Sequence, residues 1–150
     1  PYVMAAMNEF LSYAMSDAFR SEIALADGIW NDRAAALNKA LADLQLPLQV
    51  HNLSSIWILT YQTPGRYNWM LQYYLRAEGL SLAWVGTGRF IFSHNYTDAD
   101  FAEVSRRLLA AASRMRADGW WDAPEALTNG DIKKQVSREM ISSRLFPGRA

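Results

Sequence analysis

Two strand-like runs flank a glycine turn: Leu80 to Val85, then Gly86-Thr87-Gly88, then Arg89 to Ser93. Gly-x-Gly suggests a phosphate loop. Such loops join a strand to a helix N-terminus, where free N–H groups and the helix dipole meet the anion. Here strand follows strand, and a three-residue loop with glycine at a positive-φ position is an ordinary hairpin connection. The spacing predicts antiparallel pairing and sets the nucleotide loop aside.

The rest of the chain arranges helices around that hairpin. Val3, Met7, Phe10, Leu11, Ala14 and Met15 recur at helical spacing, predicting a helix to about Ser16. Asp17 to Asp27 reads as helix and then loop. Asn31 or Asp32 caps a second helix with Leu37, Leu41 and Leu44 as its apolar stripe, and Pro47 ends it. Leu48 to His51 reads as a short strand and Ser55 to Tyr61 as a more buried one. After the Thr63-Pro64-Gly65 turn a third helix runs from about Tyr67 to Ala77, with Gly79 at the C-cap. Thr97 and Asp100 form a capping box before a helix with Phe101, Val104, Leu108, Ala111, Ala112 and Met115 on one face. Arg106, Arg107, Arg114 and Arg116 read as its solvated face. Gly119 stops it, and a last helix runs from Asp131 to about Leu145. The order is α-α-β-β-α-β-β-α-α, an α+β fold with a small antiparallel-rich sheet and helices on one face.

Composition narrows the function classes. The chain has 150 residues, enough to bury a core without disulfides or a metal. Its 15 basic and 15 acidic residues cancel, with no basic block, which argues against nucleic acid and anionic membranes as partners. No apolar run approaches the ~20 residues of a membrane span. Cysteine is absent, so no thiolate zinc site is available and a reducing compartment is permitted. The first residue is Pro1 rather than Met, and the chain is expected to be a C-terminal piece of something larger.

No complete catalytic set emerges. His51 and His94 stand far apart in sequence, so no metal cluster is expected. His51 reads as structural. His94, at a strand end before a helix cap, reads as either a hydrogen-bonded structural residue or a site residue. Ser93 and His94 are strand neighbours pointing to opposite faces, so they build no triad with Asp98. Trp57, Trp69, Trp84, Trp120 and Trp121 are core or interface residues. The Trp120-Trp121 pair suits a docking surface or a terminal wrap over the chain's own core.

The segment "PYVMAAMNEFL" resembles the stretch after the cofactor-phosphate threonine of class III pyridoxal-phosphate aminotransferases, most of all their glutamate-1-semialdehyde aminomutase-like branch. "NWMLQYYLRAEGLSLAWVGTGRFIFSHNYTDADFAEV" resembles that family's small-domain segment. The resemblance spans Pro1 to about Trp121. It implies a cytoplasmic, homodimeric fold-type I enzyme of which this chain supplies the C-terminal small domain. It divides the chain into a linker helix from a missing large domain (1–17), a small α+β domain (18–121) and a helical tail (122–150). The implied activity is transamination or a 1,2-amino shift of a small amine or amino acid through pyridoxal 5'-phosphate, with this part closing over the substrate pocket. The resemblance places the Schiff-base lysine, the phosphate threonine and the ring aspartate outside this chain. None of Lys39, Lys133 and Lys134 matches that lysine, so no cofactor is expected to be held covalently here. The substrate-facing residues it implies are Trp84, Arg89 and His94. Trp84 stands about where many members carry a carboxylate-gripping arginine, which makes a bulkier, more apolar amino donor or acceptor plausible. Core packing remains the alternative for Trp84, and a surface charge for Arg89.

An independent α+β binding module is the competing reading. Such a module buries Val3, Met7, Phe10 and Met15 internally, whereas a linker helix severed from its parent exposes several of them.

Overall fold

The computed structural model describes residues 2–81, 88–93, 95–121 and 127–145, apart from the side chain of Ser143. Helix α1 spans Tyr2–Ala14 and α2 spans Asp17–Asp43. Strands β1 (Leu48–Leu53) and β2 (Ile56–Tyr61) follow, then a 3-10 turn over Asn68–Met70 that runs into α3 (Leu71–Ala77). β3 (Arg89–Ile91), α4 (Asp98–Ala117) and α5 (Asn129–Leu145) complete the order.

The strands form one antiparallel sheet in the order β1-β2-β3, so the α+β class and the one-sided layering stand. Side chains alternate across it. Leu48, Val50, Trp57 and Leu59 face α2 and α4 and are buried, while His51, Leu53, Ile56, Ile58, Arg89 and Ile91 are exposed on the other face. β2 is therefore central but buried on one face only. The open edge of β1 is covered by a side chain. Asn38 on α2 donates from Nδ2 to the Val50 carbonyl at 2.8 Å and accepts from the Val50 N–H at 2.7 Å, as a neighbouring strand would.

The structure corrects several sequence expectations. α2 is one helix of 27 residues, with no loop before Asn31. Its cap is Ser16, whose hydroxyl accepts from the Phe19 N–H at 3.2 Å. Burial of Ala26, Trp30, Ala34, Leu37 and Leu41 along one face outweighs the ~1 kcal/mol that Gly28 costs in mid-helix. Asn31 caps nothing; its Oδ1 accepts from Asn52 Nδ2 at 2.8 Å and ties α2 to β1. Leu44 leaves the apolar stripe because the chain reverses at Gln45 (φ 51°), which returns Leu46 to the core in its place. The last helix begins at Asn129 behind a Thr128–Asp131 capping box, not at Asp131. The arginines of α4 are not simply solvated. Arg106 and Arg107 grip Glu103, Arg107 also reaches the Glu78 carbonyl, and Arg116 donates to the Leu44 carbonyl at the end of α2. Of the two readings of Trp120-Trp121, the wrap over the chain's own core is the one that holds: Trp121 Nε1 donates to the Ala112 carbonyl at 2.9 Å, and Trp120 meets Tyr67 edge-on at 5.1 Å. Trp69, by contrast, is half-exposed.

The Thr97–Asp100 capping box and the Gly79 C-cap (φ 81°) are present as expected. Of the predicted hairpin, Leu80 and Ser81 are not in a strand, and the second strand is shorter than expected, ending at Ile91 rather than Ser93; Leu82 to Thr87, and with them Gly86 and Trp84, lie outside the described residues. Gly88 has φ 64°, and a Cβ there would sit 2.5 Å from the Leu59 carbonyl oxygen. That same pairing makes the sheet, because the Leu59 N–H donates to the Gly88 carbonyl at 2.8 Å.

Gly88 and Gly28 should therefore respond oppositely to alanine. Gly88→Ala is expected to cost about 2 kcal/mol or more, since strain and a backbone clash coincide. Gly28→Ala, whose Cβ meets nothing within 4 Å, is expected to add ~0.5–1 kcal/mol. Urea-unfolding midpoints of the two variants check the contrast, and shifts of the same sign would refute it.

Candidate functional site

Strand pairing decides which candidate residues can meet. The ladder aligns His51 with Ile58 and Ile58 with Arg89, so these three form one row across the outer face of the sheet. Arg89 opens β3, is exposed, and makes no ion pair with a described residue. A guanidinium beside Ile58 and Ile91 can grip a carboxylate carried by an apolar body. Trp84 and His94 lie outside the described residues. Strand parity alone could not have joined His51 to Arg89, because it leaves the pairing register open.

A second feature is a cleft of about 460 Å3 beside the start of α4, lined by Leu80, Ser93, Tyr96, Glu103, Val104 and Arg107 among others. Its charged side chains are already engaged. Glu103 accepts from Arg106 Nε at 2.7 Å and from Arg107 Nε at 2.8 Å. Those two guanidiniums hold its carboxyl well below the ordinary 4.5, at about 2. Glu103 is therefore an ion at neutral pH and no general acid. Asp100 is also held low, chiefly by the Thr97 hydroxyl. Ser93 Oγ accepts from the Asn95 N–H at 3.3 Å, a local turn contact. Asp98 pairs with Arg33 across 2.8 Å. The rejected Ser93–His94–Asp98 triad is thus further contradicted by the partners of its first and last members.

Arg33 was invisible as a site residue in the sequence. Its guanidinium lies 4.6 Å from the centre of the Trp30 ring and 5.4 Å from that of Phe101, and donates to Asp98 and to the Tyr96 carbonyl. It pins the loop ahead of α4 against α2 and is a structural residue.

The described residues do not fit a pyridoxal-phosphate cradle. That cofactor needs a lysine that can shed its proton, donors for the phosphate, and a carboxylate for the ring nitrogen. Lys39 is largely exposed and hydrogen-bonded to Asp43 at 2.7 Å, which holds its ammonium protonated above the ordinary range. Lys133 and Lys134 are exposed on α5. No polar or charged side chain among the described residues is fully buried. Among them there is also no cluster of three metal-ligating side chains, and no helix long and apolar enough to cross a membrane.

No family model matches this sequence, and no curated protein matches it. The fold does have a solved counterpart, a structure described as "Transaminase with PLP bound". The two superpose with a TM-score of 0.56 and 16% sequence identity over 71% of this chain and 26% of that one. The chain thus spans about a quarter of the transaminase's length, and what the two share is the fold.

The Glu103 geometry carries a pH signature. A carboxylate whose pKa falls on folding contributes stability that is complete above its ordinary 4.5 and is lost as the pH drops through about 2. Glu103→Gln is expected to flatten the acid dependence of the unfolding midpoint within that window and to leave the dependence above it unchanged. Parallel curves for the two proteins would show that the clamp contributes nothing measurable.

Proposed function

We propose that these residues are the C-terminal part of a pyridoxal-phosphate-dependent aminotransferase or aminomutase. In this reading the enzyme is a class III, fold-type I homodimer of the glutamate-1-semialdehyde aminomutase-like branch, acting on a small amine or amino acid in the cytoplasm. The observation that carries the reading is the likeness of the backbone to part of a transaminase, over a chain whose sequence resembles the same enzyme class. The domain helps to close and shape the substrate pocket, while the missing large domain supplies the lysine, the phosphate site and the ring aspartate. Trp84, Arg89 and His94 are its substrate-facing candidates.

The exposure of the first helix supports this reading over an independent binding module. Val3, Met7, Phe10 and Met15 would be buried in a self-sufficient module, and all four are exposed.

The test uses the full-length polypeptide that carries these residues. After incubation with pyridoxal phosphate and reduction with borohydride, peptide mapping is expected to find the cofactor on a lysine outside residues 1–150. Labelling of Lys39, Lys133 or Lys134, or no labelling, would sink the proposal. In the same enzyme, Arg89→Gln is expected to raise KM for a carboxylate-bearing amino substrate about tenfold, equivalent to ~1.4 kcal/mol, with cofactor binding unchanged. An unchanged KM would return Arg89 to the role of a surface charge.

A further inference from the structure

Asp27-Gly28 and Asn129-Gly130 each place glycine after a short side chain that ends in a carbonyl carbon. The backbone nitrogen of the next residue can close a five-membered ring on that carbon. A following side chain would shield the nitrogen and restrict the turn that brings the two together; glycine does neither. The fold treats the two pairs differently. Gly28 lies in the middle of α2, where its N–H is a rung of the helical ladder. Gly130 is the second residue of α5, and its N–H is one of the four that a first turn leaves without an intrahelical partner. No described residue takes it up. Asn129 and Gly130 are both exposed. The capping box passes around them: the Thr128 N–H donates to the Asp131 carboxylate at 3.2 Å, the Asp131 N–H donates to Thr128 Oγ1 at 3.2 Å, and the Asn129 carboxamide takes no part. Each of the other six asparagines is followed by a residue with a side chain.

We propose that Asn129-Gly130 is a site of spontaneous covalent modification that either reinforces or removes the N-terminal cap of α5. The Gly130 nitrogen gives its proton to solvent base and bonds to Asn129 Cγ. The Cγ–Nδ2 bond breaks and Nδ2 leaves as ammonia. Water, the only co-reactant, then opens the cyclic imide at one of its two carbonyls. Opening at the backbone carbonyl carbon gives isoaspartate, whose main chain runs through Cγ and is one carbon longer; opening at Cγ gives aspartate. Closure of the ring needs the pair to leave helical geometry, which the end of a helix does most readily. The two products act oppositely on α5. Aspartate places a carboxylate on its first residue, at the positive end of the helix dipole. Isoaspartate lengthens the chain between Thr128 and Asp131, so the two no longer bond reciprocally and the cap is lost. Core packing does not compensate, since none of the described residues of α5 belongs to the buried core. What remains is the grip of Arg66 on Glu139, farther along the helix. This inference goes beyond the aminotransferase reading and does not rest on it.

Ageing the full-length polypeptide at mildly alkaline pH, followed by peptide mapping, tests this. Asn129 is expected to lose its amide at least about tenfold faster than any other asparagine and to give both products, while Asp27 does not convert to isoaspartate. Loss at Asn129 no faster than at the other asparagines would overturn the proposal. Gly130→Ala, whose Cβ meets only the Thr128 hydroxyl at 3.5 Å, is expected to fold normally and to bring the rate at Asn129 down to that of the others. An unchanged rate in that variant would overturn it equally. Hydrogen exchange on the separated products reads the consequence. The amides of Ile132 to Arg138 are expected to exchange about fivefold faster in the isoaspartyl form than in Asn129→Asp, which has the same composition. Equal protection in the two would refute the loss of the cap.

Discussion

Four aromatic rings from different parts of the chain hold this fold together. Trp30 of α2 stacks on Phe92, just past β3, at 5.2 Å. Trp57 of β2 meets Phe92 edge-on at 5.3 Å and Phe101 of α4 at 5.2 Å. Offset and edge-to-face contacts of this kind are worth about 0.5–1.5 kcal/mol each beyond the area they bury. Their larger effect is geometric. They fix both helices against the middle and far strands at once, so the register of β3, and with it the position of Arg89, follows from the packing of Phe92. Arg33 closes the cluster by lying over Trp30 and Phe101 while its donors hold Tyr96 and Asp98.

That cluster lies on one side of the sheet, and the consequence is a domain with a finished face and an unfinished one. On the inner side Leu48, Val50, Trp57 and Leu59 are buried. On the outer side Leu53, Ile56, Ile58 and Ile91 meet solvent, and α1 adds a second uncovered apolar surface at the far end of α2. A three-stranded sheet with helices on one face is stable through that face alone. The outer surfaces are therefore not demanded by the fold of this domain, and their cost in water is a statement about what surrounds it.

Much of the layout was legible in the sequence, for identifiable reasons. The Thr97–Asp100 box and Gly79 are local signals, decided by residues a few positions apart, and they hold. The break expected before Asn31 failed because Gly28 and Asp32 look like local punctuation, whereas the helix is sustained by Trp30 and Ala34 packing on elements far along the chain. Trp30 itself was passed over, since it lies between the stretch that ends at Asp27 and the cap expected at Asn31 or Asp32. The row of His51, Ile58 and Arg89 needs a register that no strand carries alone. The resemblance to an aminotransferase domain came from motifs rather than from periodicity, and the fold agrees with it at the level of architecture.

The distribution of charge completes the argument. Among the described residues, the carboxylates nearest the cleft are spent on structure: Glu103 on two arginines, Asp100 on a helix cap, Asp98 on Arg33. Glu103 and Asp100 have their carboxyls held below the ordinary range by those partners, away from the neutral pH at which an acid or base catalyst must exchange protons. Lys39 is held in the opposite state, as a cation, by Asp43. A catalytic site needs titratable groups whose environments pull them toward the working pH, and the environments of Glu103, Asp100 and Lys39 pull theirs away from it. Arg89 differs in that its charge meets no described carboxylate, and a permanent cation can bind and orient a substrate without ever moving a proton. What the described side chains of that row offer chemically is a fixed positive charge beside the apolar Ile58 and Ile91.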